Sequence, residues 1–476
     1  MRIVLVHPAG SNWVPGKRDI TATANRMAPL GLLSIAAYLE SQGHAVYVHD
    51  CLGPRAPKTN RENAEIILNR HPDMVGISAT TSSFLDGVDL STRIKDVRPD
   101  IQTVCGGVHV SAMGAGLLDQ FETIDYLILG EGETAMAELT SGGDPRAIPG
   151  LCFRDNGKGV ANPPHPLIEN LDHLPFPAYE KLEGFPKGYR LPLFSYILTP
   201  GATMVTSRGC PYQCSFCDRS VFKRGYRYNS APYIYEHMTY LKDRFGVRHV
   251  NIYDDLFTAH RERITELCRL LVNRPLRMHF NCAVRAGHCD DALLEMLKAA
   301  GFLQLSIGIE TGVPELMETH KPGVHLMEIR DTVKRIQAKG LRAKGLFMMG
   351  LPGETPETIQ KTSDFALSLG LDDMNMSKFT PFYGAPVWET IFEEGTFDHD
   401  WRKMNCLNFV FVPRGIDSKE TLDELYNQHV KRFYTDPEWR KKFRKRIWEH
   451  RWSMWYFITH LPAFLSAMRT FEPHGQ

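Results

Sequence analysis

Three cysteines fall within eight residues of the stretch Ser207-Arg-Gly-Cys-Pro-Tyr-Gln-Cys-Ser-Phe-Cys-Asp-Arg219, at Cys210, Cys214 and Cys217. A structural zinc site takes four ligands, usually as two thiolate pairs. No second C-x2-C or H-x3-H pair follows at that spacing. A dithiol redox pair needs only two sulfurs. Three thiolates on one loop suit a [4Fe–4S] cluster with one iron left without a protein ligand. An open metal position can take up a ligand, whereas a closed one is structural. Gly209 and Pro211 flank the first thiol and bend the chain so that the sulfurs can converge. The other seven cysteines, Cys51, Cys105, Cys152, Cys268, Cys282, Cys289 and Cys406, are scattered and read as small buried hydrophobes.

The loop must be carried by something rigid. Candidate strands lie at 203–206, 249–253, 278–282, 303–309, 343–349 and 374–378, with amphipathic helices at 233–245, 261–272, 290–300, 326–339 and 356–369. Six β/α units predict a partial barrel of the TIM type over 201–400, with chemistry at the carboxyl ends of its strands. The cysteine loop follows the first of them. Upstream, strands at 2–6, 45–49, 74–78, 103–105 and 126–129 alternate with helices such as Pro29–Gly43. That pattern predicts a doubly wound α/β domain over 1–142, Rossmann-like, with its ligand at the strand ends. Those ends read Ser78-Ala-Thr-Thr81, Gly106-Gly-Val-His109 and Gly130-Glu-Gly-Glu133. Their glycines serve either a close backbone approach to a ligand or tight strand-to-helix turns. Residues 143–200 are rich in proline and read as a linker with short strands.

The region 401–476 is helical and holds Trp439, Trp448, Trp452 and Trp455 among basic residues. It reads as a cap packed on the barrel, or as a helix on a membrane surface or an apolar substrate.

Composition narrows the class. The 476 residues are 43% hydrophobic and 23% charged, as in a soluble globular protein. Lys+Arg and Asp+Glu both number 55, which argues against a nucleic-acid partner. No run of about 18 apolar residues predicts a spanning helix. The apolar start reads as a strand rather than a signal peptide, and a cytoplasmic location is expected.

With Phe216 in the position before the third thiol, C-x3-C-x-aromatic-C opening a six-fold β/α pattern resembles the radical S-adenosylmethionine (SAM) superfamily. The resemblance implies a cluster whose open iron chelates SAM. One-electron cleavage would give a 5′-deoxyadenosyl radical that takes hydrogen from an unactivated carbon. It further implies Asp254, in Tyr253-Asp-Asp-Leu-Phe257, at the SAM amino group. Glu310, in Ser306-Ile-Gly-Ile-Glu-Thr-Gly312, would contact the ribose or amino group, and Arg285 the carboxylate. Gly350, in Phe347-Met-Met-Gly-Leu-Pro-Gly-Glu354, would leave room with Gly353 for adenine. The doubly wound domain with "CGGVHVSA" and "GEGE" looks like the cobalamin-binding class, covering residues 1 to about 400. It implies cobalamin contacts at Ser78, Thr80, Gly106, Gly107, His109, Gly130, Glu131 and Gly132. The segment Lys431-Arg-Phe-Tyr434…Pro437 resembles the anaerobic magnesium-protoporphyrin monomethyl ester cyclase family.

One departure concerns cobalt. Many cobalamin domains use D-x-H-x-x-G, but here Leu5 stands where the aspartate would be, two residues before His7. The imidazole then lacks an orienting carboxylate, and Pro8 holds His7 extended. A corrinoid held by shape and backbone, with its lower face open or aqua-liganded, is expected. The expected reaction is radical methylation of an unactivated carbon on a small, apolar or planar molecule, with an electron donor such as flavodoxin or ferredoxin. Alternatives are radical oxidation, cyclisation or rearrangement without methyl transfer, a non-catalytic carrier of corrinoid or iron–sulfur, and methylthiolation of RNA or protein. The domain order and the balanced charge argue against the last.

Overall fold

The structure, a computed structural model, describes residues 1–10, 25–223 and 225–462. Two compact units divide the described residues: those within 1–190 with 218–227, and those within 191–217 with 228–461.

In the first unit the elements run β1 (Arg2–His7), α1 (Leu30–Ser41), β2 (Ala45–Asp50), α2 (Asn60–Leu68), β3 (Met74–Ser78), α3 (Phe84–Val97), β4 (Gln102–Gly106), α4 (Val108–Met113), α5 (Gly116–Gln120), β5 (Tyr126–Ile128), α6 (Glu133–Thr140), β6 (Leu151–Asp155) and β7 (Lys158–Ala161). The sheet order is β2-β1-β3-β4-β5-β6-β7. The first five strands are parallel, and β6 and β7 extend the edge antiparallel. Ile3, Val4, Leu5 and Val6 are all buried, the continuous apolar run of a strand covered on both faces. Ile3, Leu32, Leu39, Met74 and Val104 belong to one core between sheet and helices. The strand order reverses between β1 and β3, so the carboxyl edge there is the natural ligand crevice.

In the second unit the order is β8 (Gly201–Met204), α7 (Ala231–Phe245), β9 (His249–Ile252), α8 (Arg261–Asn273), β10 (His279–Val284), α9 (Asp291–Ala299), β11 (Phe302–Glu310), α10 (Pro314–His320), α11 (Leu326–Ala338), β12 (Arg342–Met349), α12 (Pro356–Ser368) and β13 (Asp373–Lys378). The six strands are parallel and lie in chain order, each beside its predecessor. That is an open half-barrel. The helices start where side chains accept orphan N–H groups: Ser230 from Tyr233, Asp290 from Leu293 and Thr355 from Thr358. Gly246, at φ +67°, closes α7 in the left-handed region.

Beyond it come α13 (Ile391–Glu394), a hairpin of β14 (Gly395–Phe397) and β15 (Phe411–Pro413), then α14 (Lys419–Thr435), α15 (Pro437–Lys445) and α16 (Arg451–Thr459). The tail divides in its behaviour. Tyr426 and Tyr434 donate to the carbonyls of Met376 and Met374, and Trp439 Nε1 donates to the Asp372 carbonyl, so α14 and α15 pack on the barrel. Trp448, Trp452 and Trp455 do not: they are 79%, 43% and 65% exposed. Among the described residues no helix is long and apolar enough to cross a membrane. Six of the seven scattered cysteines are buried, and Cys406 is half-buried.

Candidate active site

The cysteine loop leaves β8 at the carboxyl end of the half-barrel. Cys210, Cys214 and Cys217 are all half-buried and none is in a disulfide. Hydrogen bonds of Ser215 and the packing of Phe216 hold the loop. Ser215 donates its N–H to the His320 carbonyl (3.0 Å) and its Oγ meets His320 Nδ1 at 2.7 Å. Ser215 also accepts from Val387 N–H (2.9 Å). Phe216 packs against the buried cluster of Leu351, Phe379, Val387 and Phe411. Here the aromatic before the third thiol is a hydrophobic anchor of the loop.

Burial, with the charges of Asp255 and Cys214 behind it, holds the Cys210 thiol above its usual range, while Arg285 pulls the other way. Those groups are therefore its neighbours. Among the described residues no three His, Cys, Asp or Glu side chains meet at the distances that hold a single metal ion. A cuboidal cluster takes its thiolates on different irons, so its sulfurs need not meet at one point. Three accessible thiols on one anchored loop have the donor chemistry that a cluster requires.

Asp254, expected at the SAM amino group, is instead committed to the turn that launches the loop. Its Oδ1 accepts from Thr206 N–H (2.5 Å) and Ser207 N–H (3.2 Å), and its Oδ2 from Thr206 Oγ1 (2.5 Å). Arg263, also buried, lies 3.6 Å from Oδ2 and donates to the carbonyls of Thr206 and Phe257. The carboxylate that faces open space is its neighbour Asp255. Although its residue is exposed, the protein around it strips part of the solvent from the Asp255 carboxylate, and this desolvation, with the Asp254 charge, raises its pKa against a hydrogen bond from Gly209 N–H. Asp255 therefore stands beside the first thiol, and the sequence reading missed it. The signal was there: consecutive residues past a strand end point opposite ways.

Arg285 is buried, donates to the Pro322 carbonyl (2.8 Å) and lies 3.6 Å over the Tyr212 ring. Tyr212 is fixed in turn by His288 Nε2 at 2.7 Å. Glu310 ends β11 at φ +65°, where the register with β12 shifts. A non-glycine residue in this region is strained, and such strain gathers at functional sites. Its Oε1 accepts from Lys321 Nζ (2.8 Å), which also donates to the Gly308 carbonyl (2.7 Å). A side chain at Gly308 would collide with Lys321 Nζ at 2.4 Å. Gly350, expected to make room for adenine, makes room for Phe409, whose ring would be 3.1 Å from an added Cβ. Gly353 does the same for Leu316 (3.2 Å). Glu354 accepts from Gly350 N–H (2.5 Å) and Leu351 N–H (3.1 Å). Burial nevertheless pushes its pKa up to about 8.

In the first unit the carboxyl edge of β3, β4 and β5 presents hydroxyls and bare backbone. Ser78 is half-buried and Thr80 exposed, with Thr80 Oγ1 near Ser82 and Ser83. Gly107, at φ +104°, leaves no room for a Cβ, which would lie 2.5 Å from the Ala79 carbonyl oxygen. A Cβ at Gly106 or Gly130 would meet only an ordinary contact at 3.6 Å, and Ser111 Oγ accepts from Gly130 N–H (3.0 Å). An uncharged rim of hydroxyls and amides fits the amide-bearing periphery of a corrinoid.

Three expected contacts lie packed within the protein. His109 is buried, 4.6 Å from the Phe84 ring, and burial lowers its pKa to about 4. Glu131 is buried under Arg227 (2.9 Å) and accepts from Ile168 N–H. Gly132 makes way for Ile35.

Contrary to expectation, His7 does have an orienting carboxylate. His7 Nδ1 lies 2.8 Å from Asp50 Oδ1, at the neighbouring end of β2. Asp50 is fixed by Tyr189 Oη (2.9 Å) and Leu52 N–H (3.0 Å). The orienting carboxylate that Leu5 cannot supply comes from the adjacent strand.

The comparisons agree with this division. Residues 204–366 match the radical SAM superfamily and residues 17–140 the B12 binding domain. An uncharacterized methyltransferase of Pyrococcus horikoshii is 30% identical over 458 residues, covering 94% of this chain and 95% of that protein. The anaerobic magnesium-protoporphyrin IX monomethyl ester cyclase of Rubrivivax gelatinosus is 26% identical, over 91% of this chain and 77% of its own. A solved structure of TsrM from Kitasatospora setae, a radical SAM methyltransferase with cobalamin and a [4Fe–4S] cluster bound, superposes with a TM-score of 0.64 at 22% identity. It covers 82% of this chain and 74% of that one. Anchored thiol loop, half-barrel, parallel-sheet unit and near end-to-end similarity together place this chain in the family of cobalamin-binding radical SAM enzymes.

Proposed function

We propose that the enzyme methylates an unactivated carbon of a small-molecule biosynthetic intermediate. The observation that carries the reading is the pairing, in one chain, of a half-barrel bearing the three-thiol loop with a B12-type parallel sheet. The end-to-end similarity to a methyltransferase supports it. Cys210, Cys214 and Cys217 would hold the cluster, with Asp255, Arg285 and Glu310 disposed for SAM. The rim of Ser78, Thr80, Gly106, Gly107 and Gly130 would receive the corrinoid. Bound there, these groups supply a hydrogen-abstracting radical and a transferable methyl group. The protein's part is to hold them and to exclude water.

The substrate belongs to the apolar or planar class, and a flavodoxin- or ferredoxin-like donor supplies electrons in the cytoplasm. The exposed tryptophans of α16 suit weak contact with a membrane surface. Anaerobic reconstitution with iron, sulfide and cobalamin, followed by product analysis, tests the reading. A mass gain of one methyl with both 5′-deoxyadenosine and S-adenosylhomocysteine is expected. Turnover without S-adenosylhomocysteine would favour the second reading, radical oxidation or cyclisation, which the likeness to the cyclase motivates. No SAM cleavage at all would leave only a carrier.

A further inference from the structure

The amino-terminal ends of β11, β12 and β13, at the opposite end of the half-barrel from the cysteine loop, border a cavity of about 400 Å³ closed by the C-terminal helices. One wall is a ladder of rings. Trp439 and Phe443 stack with centroids 5.1 Å apart at 13°, and Phe443 and His450 at 6.0 Å and 16°. Stacked rings occupy one another's faces and keep their edges free, and a ring edge packs favourably against the face of a planar molecule.

The charge lining the cavity is unequal. Arg342, Lys344, Lys442 and Arg446 face it against Asp372 and Asp373. Asp372 answers Arg446 (2.5 Å) and Asp373 answers Lys344 (2.9 Å). Arg342 is paired with Glu449, which does not line the cavity. Lys442 rests on the Gly370 carbonyl, an acceptor without charge.

A third observation points the same way. His450 is only 5% exposed, and Arg342 Nη1 lies 3.3 Å from its Nε2. A guanidinium can only donate, so Nε2 accepts and Nδ1 carries the proton. Among the described residues that Nδ1 has no hydrogen-bond partner. Burial keeps the ring neutral, with a pKa of about 4. A buried N–H without an acceptor calls for an oxygen, and the surplus of cations lining the same cavity favours an anionic one.

We propose that this cavity binds a planar aromatic carboxylate of one or two rings, at a site separate from the cysteine face. The ring system would lie along Trp439 and Phe443, with its carboxylate toward Lys442, Arg446 and the His450 donor. The inference does not depend on the radical reading.

The test is calorimetric titration of the full chain with 2-naphthoate. One equivalent is expected to bind, and Lys442→Glu, which reverses a half-buried charge, should weaken it by about tenfold or more. His450→Phe keeps the ring plane but removes the donor, and should weaken binding by about fivefold. Trp439→Leu should weaken it further. The Cys210→Ala, Cys214→Ala, Cys217→Ala triple variant should bind as the parent does. Circular dichroism checks each variant's fold. No heat of binding, equal affinity for the uncharged 2-naphthol, affinity unchanged in Lys442→Glu and His450→Phe, or loss in the cysteine variant would each overturn the proposal.

Discussion

Two adjacent aspartates past the end of β9 divide two tasks. Asp254 gathers two backbone N–H groups, a hydroxyl and the Arg263 guanidinium in a dry interior. Removing the acceptor leaves the two N–H groups and the hydroxyl unanswered and takes the carboxylate away from the buried Arg263 charge. Asp254→Ala should therefore cost about 3–5 kcal/mol, read as a fall in the denaturation midpoint with or without a cluster. Asp255 faces open space and its charge is disfavoured where it stands. Asp255→Asn should leave the midpoint unchanged while weakening SAM binding about tenfold in equilibrium dialysis. Stability loss in Asp255→Asn, or full SAM affinity, would reverse these roles.

Glu354 gives a prediction in pH. Its folded pKa, about 8, stands above the value of an unfolded glutamate. The native state thus holds a proton that the unfolded chain has released. Stability is full below the unfolded value and falls as pH rises through the folded one, by up to about 1.4 kcal/mol per pH unit. Denaturant titrations between pH 5 and 8 should show that decline, and Glu354→Gln should flatten it. A slope unchanged by the substitution would place the titrating group elsewhere.

At the scale of elements, the short helix α10 matters more than its length suggests. Its last residue, His320, holds the thiol loop through Ser215 and is itself fixed by the Pro352 carbonyl (2.9 Å). It thus joins the end of β12 to the cysteines. His320→Ala should lower the iron retained after reconstitution to roughly half or less and broaden the cluster's electron paramagnetic resonance signal. His320→Asn, which keeps one hydrogen-bonding arm, should recover part of it. Equal iron content in the alanine variant would mean that the backbone bonds of Ser215 and the packing of Phe216 hold the loop without the imidazole.

Neither α10 nor this contact was legible in the sequence. A seven-residue helix shows too little periodicity, and only Pro314 at its start marks it. Ser215 and His320 are 105 residues apart, and nothing local pairs them. The long strands and helices were legible because burial on both sheet faces forces apolar runs and because caps punctuate the helices. The same limit explains His7. Two residues along β1 Leu5 offers no carboxylate, but a parallel register sets Asp50 beside it from the next strand. Residue types marked the chemistry, whereas partners drawn from other elements decided which carboxylates were free for it.

For the molecule as a whole, the tail presents a surface that folding leaves apolar. Trp448, Trp455 and Ile458 are each more than half exposed, with Lys441, Arg444, Lys445 and Arg451 nearby in the chain. Scattered apolar residues on a surface need no explanation, but large rings grouped within one segment mark a contact. Tryptophan favours the boundary between water and lipid, and basic residues favour anionic headgroups. The tail should therefore carry part of the protein down with phosphatidylglycerol vesicles, and less as salt is raised. Trp448→Ser with Trp455→Ser should abolish that sedimentation while leaving the denaturation midpoint where it was, because neither ring is packed. If the double variant sediments unchanged, or unfolds several degrees earlier, those rings serve packing and the lipid contact is absent.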